Sequence, residues 1–244
     1  MSKKHWIPAL AGLSAAALLM APFKSKSNHP DLSEASKSIT YITNKEQTSG
    51  GTGFHVRSSS GEKYLVTNAH ICQLANNGIL YVRIGNDERP IPRRVIEESP
   101  LTDLCLVEPL PRASVLELGN DDLESQDDIF IIGHPKLMPL AVTSGMVINK
   151  ATIMLLIGFP VQPGTCNDPK NIILDIPLLF FSVKGCFLRI HALATTAPIM
   201  PGNSGSPVLD SRGRVRGIAF ASDSILGWAW VVLVSDLHKF LEQY

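Results

Sequence analysis

The sequence predicts an all-β protein, built in two units and closed by a C-terminal helix. Three observations lead there. From Ile39 onward the chain falls into short apolar runs, among them Tyr64-Leu-Val66, Leu104-Cys-Leu-Val107 and Ile129-Phe-Ile-Ile132. Turn-forming clusters separate them, such as Ser58-Ser-Ser-Gly61, Asn76-Asn-Gly78 and Gly85-Asn-Asp87. Many short strands at regular spacing read as a barrel or a sandwich, and the helices that an α/β fold would interleave with them are lacking. The last stretch, Ser235 to Tyr244, reads instead as a helix, with Ser235 placed to cap it and Leu237 and Leu241 on one face.

Before the fold comes a targeting segment. Ser2-Lys-Lys-His-Trp6 is a basic leader, and Ile7 to Phe23 carries no charge. That run is short for a membrane span, which takes ~20 residues, and suits a secretory signal. Pro8 and Gly12 argue against a buried core helix. Ala15-Ala-Ala17 supplies small residues for cleavage, whereas Leu18-Leu-Met20 prolongs the apolar run and Pro22 follows Ala21. Residues 7–23 therefore read as a cleaved signal or as a retained membrane anchor, and either places the folded part outside the cytoplasm. Lys24 to about Ser38, rich in Ser, Lys, Asn and Pro, reads as a flexible linker.

The first set of strand-like runs is Ile39–Ile42, Gly53–Arg57, Tyr64–Val66, Ile79–Ile84, Arg94–Ile96 and Leu104–Val107. A connector with acidic patches spans Leu110 to Asp128. The second set is Ile129–Ile132, Met138–Val142, Gly145–Asn149, Asn171–Asp175, Leu178–Ser182, Cys186–Ile190, Val208–Leu209, Val215–Phe220 and Ala229–Leu233. Asp210-Ser-Arg-Gly213 is a hairpin turn. The chain thus divides into a leader over 1–26, a linker over 27–38, a first β-unit over 39–120 and a second, with its helix, over 121–244. Its 244 residues are ample for a large core. Acids and bases balance at 22 each, so charge gives no case for nucleic acid or an anionic surface as partner.

Chemistry concentrates in Met200-Pro-Gly-Asn-Ser-Gly-Ser-Pro-Val-Leu-Asp210. Ser204 lies among glycines, whose backbone freedom lets N–H groups turn towards one point. A hydroxyl with backbone donors beside it is what acyl transfer needs: a nucleophile and a hole for the oxyanion. A serine alone is a poor nucleophile, so a histidine must take its proton and a carboxylate must orient that histidine. Thr67-Asn-Ala-His70 and Thr102-Asp103 follow and precede apolar runs, giving the chain order His70, Asp103, Ser204. Each alone has a plainer reading as a turn serine, a core histidine or a strand-initiating aspartate. Their joint occurrence favours a triad.

Thr52-Gly-Phe54, Thr67-Asn-Ala-His70, Thr102-Asp-Leu-Cys-Leu-Val107 and Gly202-Asn-Ser-Gly-Ser-Pro207 together resemble the chymotrypsin-fold, or trypsin-like, serine proteases. The resemblance is closest to two bacterial branches, the HtrA/Deg proteases and the glutamyl endopeptidases. Ile131-Ile-Gly-His-Pro135 followed by Ala141-Val-Thr-Ser-Gly-Met-Val147 is similar to the HtrA pattern at the start of the second barrel. The likeness runs from about Thr48 to the C-terminus and is weakest over about 150–192.

The resemblance implies two antiparallel six-stranded β-barrels with the active site between them, His70 and Asp103 from the first and Ser204 from the second. It implies a serine endopeptidase acting on polypeptides, with the backbone N–H groups of Gly202 and Ser204 as oxyanion hole, and with no metal or organic cofactor. Asn203 stands where the animal enzymes carry an aspartate that pairs with a freed N-terminus, so activation by that route is not expected. No PDZ domain is expected after Tyr244. The pocket for the residue before the scissile bond would be lined by Pro198, Ile199, Ala219, Phe220, Ala221, Ser222 and Gly227. No acid lies between His191 and Asn203 to receive Arg or Lys, and a buried guanidinium without a partner is costly. Cleavage after small or medium aliphatic residues is the expectation.

Four cysteines allow three full pairings. Cys166 and Cys186 both fall in the stretch of weakest likeness and are expected to staple it. Cys72 and Cys105 follow His70 and Asp103 by two positions each, and read equally as neighbours in space or as buried free thiols. No Cys and His spacing suits zinc. Two rival classes remain. An α/β-hydrolase would need Gly-x-Ser-x-Gly and the reverse triad order. A non-catalytic peptide-binding or scaffold protein could use the same fold.

Overall fold

The computed structural model describes residues 32–85, 89–158, 171–177, 182–223 and 227–244. The chain runs through α1 (Leu32–Ser36), β1 (Ile39–Thr43), β2 (Gly50–Arg57), β3 (Lys63–Thr67), α2 (Ala69–Cys72), β4 (Ile79–Arg83), β5 (Ile91–Ser99) and β6 (Leu104–Val107). After the connector come β7 (Asp128–Gly133), a 3-10 turn at Pro135–Leu137, β8 (Ala141–Gly158), β9 (Asn171–Pro177) and β10 (Ser182–Thr195). β11 (Pro207–Leu209), β12 (Val215–Asp223), β13 (Trp228–Leu233) and α3 (Val234–Leu241) complete it.

The first six strands close a barrel in the order β1-β2-β3-β6-β5-β4. The other seven form a sheet in the order β13-β12-β11-β7-β8-β10-β9. Ala192–Thr195 of β10 also pair with β13, which joins the ends of six of these strands into a second ring. β9 is the extra strand, paired to the far end of β10 from Ser182 to Leu188. It lies in the stretch where the family likeness is weakest, and adds an edge strand to the sheet outside the ring.

Strand alternation assigns each face to a different core. On β6, Cys105 and Val107 face the interior of the first barrel, with Ile42, Leu65, Leu80 and Val82. Its alternate residues, Leu104 and Leu106, join a second cluster. On β7, Ile129 and Ile131 pack inside the second barrel with Val208, Ala219 and Val231, while Phe130 and Ile132 join the same cluster as Leu104 and Leu106. That cluster draws on both barrels, on Ala35 of α1 and on Leu237, Phe240 and Leu241 of α3. The barrels therefore share an apolar layer.

Three local expectations change. The strands read separately as Met138–Val142 and Gly145–Asn149 are one strand from Ala141. Gly145 is not a turn there: a Cβ on it would lie 2.3 Å from Ala197 N, so glycine serves a close approach of backbones. Ser235 does not cap α3, which begins one residue earlier with Leu233 at the cap position and no side-chain cap. Asp122 of the connector does that work, accepting the Ser235 N–H at 3.1 Å and its hydroxyl at 3.0 Å. Burial alone would raise the Asp122 carboxyl, but these bonds and the Lys150 ammonium hold it below its ordinary pKa. The linker enters the described residues as the single turn of α1.

Cys72 and Cys105 form a disulfide, which overturns the free-thiol alternative. Cys186 is disulfide-bonded and buried; its expected partner Cys166 lies outside the described residues, as do the leader and the apolar run 7–23. Among the described residues no helix is long and apolar enough to cross a membrane.

Candidate active site

Asp103 sits just before β6, buried, with φ 52°. Aspartate tolerates this left-handed conformation better than most residues. Its carboxylate accepts the backbone N–H of His70 at 3.0 Å. The same group faces the His70 ring, with Nδ1 2.8 Å from Oδ2 and 3.1 Å from Oδ1. With Nδ1–H given to the carboxylate, Nε2 is left as the acceptor of the ring. His70 rides on α2, a single turn that propensity alone could not hold. Asn68 anchors the turn by donating from Nδ2 to Asp103 O at 3.0 Å, and the Cys72–Cys105 disulfide ties its far end to β6. The imidazole is 41% exposed and the carboxylate 7%, so the ring meets solvent while the carboxylate facing it does not.

Ser204 lies in the turn before β11, between Gly202 at φ 97° and Gly205 at φ 84°. A Cβ on Gly205 would lie 2.0 Å from Thr52 O, so the loop presses against β2 of the first barrel. Gly51 is wedged between the Ile71 side chain of α2 and Ser204: an added Cβ would be 2.8 Å from Ile71 Cδ1 and 2.7 Å from Ser204 O. The serine and the histidine-bearing turn thus flank the same glycine. The Ser204 hydroxyl donates to Phe220 O at 3.4 Å, and among the described residues no hydrogen bond joins it to His70. An O–H···O bond is usually 2.5–3.0 Å, so this contact is weak and one side-chain rotation releases it.

Two peptide planes beside Ser204 are fixed by their carbonyls. Pro201 O accepts the Lys136 N–H, and Asn203 O accepts the Ser206 N–H at 2.9 Å. In a trans peptide the N–H points opposite to the C=O. The Gly202 N–H is therefore turned away from the Pro135–Leu137 turn, and the Ser204 N–H away from Ser206. Neither has an acceptor among the described residues. The Pro135–Leu137 turn holds Lys136 at φ 51° and Leu137 at φ 58°, an uncommon conformation that lets it back the Gly202 loop.

The expected specificity residues are spread over two environments. Ala219 is fully buried in the second-barrel interior, with Ile199 packed against that cluster. Phe220 is buried in the shared layer, with half-buried Ala221 against it. Pro198, Ser222 and Gly227 are exposed. The register of β12 on β13 shifts between Ala219 and Ala221, a bulge that gives the Phe220 carbonyl to Ser204.

Sequence reasoning gave no role to Thr52 and Asn68, although both stand in the motifs that led to His70 and Ser204. Asn68 braces Asp103. Thr52 contacts Ser204, Gly202 and His134 through three hydrogen bonds. Of the other histidines, His134 is buried, its ring edge against Tyr41 and its Nδ1 3.0 Å from Met138 O. Burial holds its pKa below the ordinary value, against the raising effect of that hydrogen bond. Among the described residues no group of three His, Cys, Asp or Glu side chains is placed to hold a metal ion.

Residues 51–218 match the family model of the trypsin-like peptidase domain. Over 206 residues, 81% of the chain, it is 21% identical to "Serine protease Do-like HtrA" of Bacillus subtilis, covering 39% of that protein. Over 170 residues, 69% of the chain, it is 30% identical to "Probable periplasmic serine endoprotease DegP-like" of Chlamydia pneumoniae, covering 28% of that protein. The chain thus spans well under half the length of these relatives. The active form of the Rv3671c protease from M. tuberculosis superposes with a TM-score of 0.62 at 19% identity, over 96% of this chain and 93% of that one. At that identity the likeness is one of fold.

Proposed function

The chain belongs to the trypsin-like peptidase family, and from that membership we propose that it is a serine endopeptidase with His70, Asp103 and Ser204 as its triad. One observation carries the reading: the Asp103 carboxylate grips both the backbone and the ring N–H of His70. That grip leaves Nε2 as the ring nitrogen free to act as base. In the proposed reaction Ser204 Oγ attacks a peptide carbonyl as its proton passes to His70. The tetrahedral oxyanion is held by the Gly202 and Ser204 N–H groups. His70 then protonates the leaving amine, which departs and leaves an acyl-enzyme. Water, with His70 again as base, releases the acid. Asp103 stays ionised throughout and stabilises the imidazolium.

The proposed preference is for small or medium aliphatic residues before the scissile bond. Ile199 is apolar and half-buried beside the Ser204 loop in sequence, and no acid lies between His191 and Asn203 in the sequence to receive a cation. A pocket of this kind discriminates by only ~1–3 kcal/mol per methylene, so the preference is broad. The protein is further proposed to act outside the cytoplasm, exported or anchored through residues 7–23. The leader motivates this, and the relative from Chlamydia pneumoniae is named periplasmic.

A fluorophosphonate probe tests the activity. Covalent labelling of folded protein at Ser204, abolished in Ser204→Ala, is the expected result. A folded protein that takes no label would favour the non-catalytic binding module. A mixed peptide library tests the preference, and dominant cleavage after Arg, Lys or Glu would overturn it.

A further inference from the structure

We propose that Thr52 is the positioning residue of the oxyanion loop, holding the Gly202 peptide from the opposite barrel; this rests on the serine-peptidase reading. Thr52 is fully buried in β2. Its N–H donates to Ser204 O at 2.8 Å, and its carbonyl accepts the Thr67 hydroxyl at 2.7 Å. Its own hydroxyl donates to Gly202 O at 2.8 Å and accepts the His134 N–H at 2.9 Å. A carbonyl cannot donate and an amide N–H cannot accept, so both partners fix the hydroxyl in one orientation. Three of these four hydrogen bonds of a first-barrel residue thus go to the second barrel.

The partners are the ones that matter to the hole. Gly202 carries one of its two donors. That donor is set from the N-terminal side by Lys136, which binds Pro201 O. From the C-terminal side the Gly202 carbonyl is held by Thr52. His134 joins the two supports: its N–H is bound by Thr52, and its carbonyl lies 2.3 Å from where a Gly202 Cβ would be. Gly133 keeps the crossing open, since a Cβ there would lie 2.9 Å from Thr52 Oγ1 and 1.9 Å from Ser206 Oγ. Without the Thr52 hydroxyl, Gly202 O and the His134 N–H are left buried and unpaired, and the loop relaxes to find other partners.

The test compares wild type with Thr52→Val, which keeps the shape and removes the hydroxyl, and with Thr52→Ser, which keeps the hydroxyl. Steady-state kinetics on a peptide substrate are measured beside the affinity for a peptide boronate, whose adduct occupies the oxyanion hole. We expect kcat of Thr52→Val to fall ~10- to 100-fold with KM changed by no more than about threefold, since misplacing a donor weakens the transition state alone. Boronate affinity should fall in parallel, and Thr52→Ser should recover both. If Thr52→Val does not fold, Thr52→Cys, a poor donor of similar shape, takes its place with the same expectation. A folded variant without the hydroxyl that keeps wild-type kcat overturns the proposal. So does a loss of kcat that leaves boronate affinity intact, or one that Thr52→Ser shares in full. A wild type that neither hydrolyses peptides nor takes the fluorophosphonate label overturns the peptidase reading with it, whereas an active wild type with an indifferent Thr52→Val overturns this inference alone.

Discussion

His55 is fully buried in the first barrel with every ring nitrogen committed. Nδ1 faces Ser38 O at 3.0 Å and so carries the proton, while Nε2 accepts the Leu110 N–H at 3.0 Å. A second proton would face that N–H. Burial accordingly pushes its pKa down to about 4, against the raising effect of the Ser38 carbonyl. The unfolded ring binds its proton near 6.5, so between those values the unfolded state holds more protons and stability rises with pH. The stabilisation is complete above about pH 6.5, fades as pH falls towards 4, and amounts to about 3 kcal/mol. Unfolding free energy measured across that window should show the slope, and His55→Gln should flatten it; an unchanged slope would assign it to other groups. For the candidate triad, Ser204→Ala should lose turnover by ~10⁶ and Asp103→Asn by ~10⁴, both still folded. Near-normal hydrolysis by Ser204→Ala would remove the serine from the mechanism. The residue types that acyl transfer demands can be read from a sequence because few side chains do that chemistry. Thr52 and Asn68 could not be read the same way. Their partners are backbone carbonyls, and only the folded chain says which ones.

At the scale of elements, the distant contacts are what composition hides. The four residues of α2 have no side-chain cap, and α3 takes its carboxylate from Asp122, far back in the connector. Ser235 looked like a cap because local sequence offers no view of a partner that remote. The same holds for Gly145, whose reason for being glycine is the backbone of Ala197. Asp210, by contrast, is a local matter, and the hairpin read from Asp210-Ser-Arg-Gly213 is present. There Gly213 N–H reaches Asp210 O at 2.9 Å, and the Asp210 carboxylate collects the N–H groups of Arg212 and Arg214. The Cys72–Cys105 disulfide closes a loop of 33 residues that contains β4 and β5. Chain entropy assigns a loop of that length about 3–4 kcal/mol. Cys72→Ala with Cys105→Ala should therefore lower the denaturation midpoint by a corresponding amount. An unchanged midpoint would mean that β-pairing alone holds the 33-residue loop.

Across the whole molecule, the two-unit all-β plan was legible because turns punctuate the strands, but the union of the units was not. β1 and β6 are buried along their whole length, and burial on both faces erases the alternation by which a sequence shows which way a strand points. One face of β6 fills the first barrel, and the other joins β7, β12 and α3 in the shared layer. Phe240 of α3 belongs to that layer and is 5% exposed. Truncating a buried phenylalanine costs ~3–5 kcal/mol, and here the loss falls on both barrels. The described tryptophans, Trp228 and Trp230, lie on β13 in the second barrel, so their emission reports on that unit. Amide exchange along β2 and β6 reports on the first. In Phe240→Ala both signals should move to lower denaturant together, because the layer that holds Phe240 is built by both barrels. First-barrel amides that keep their protection after the tryptophan signal is lost would show instead two units that fold apart. The candidate triad, with His70 and Asp103 on one barrel and Ser204 on the other, would then depend on the docking of one preformed barrel against the other.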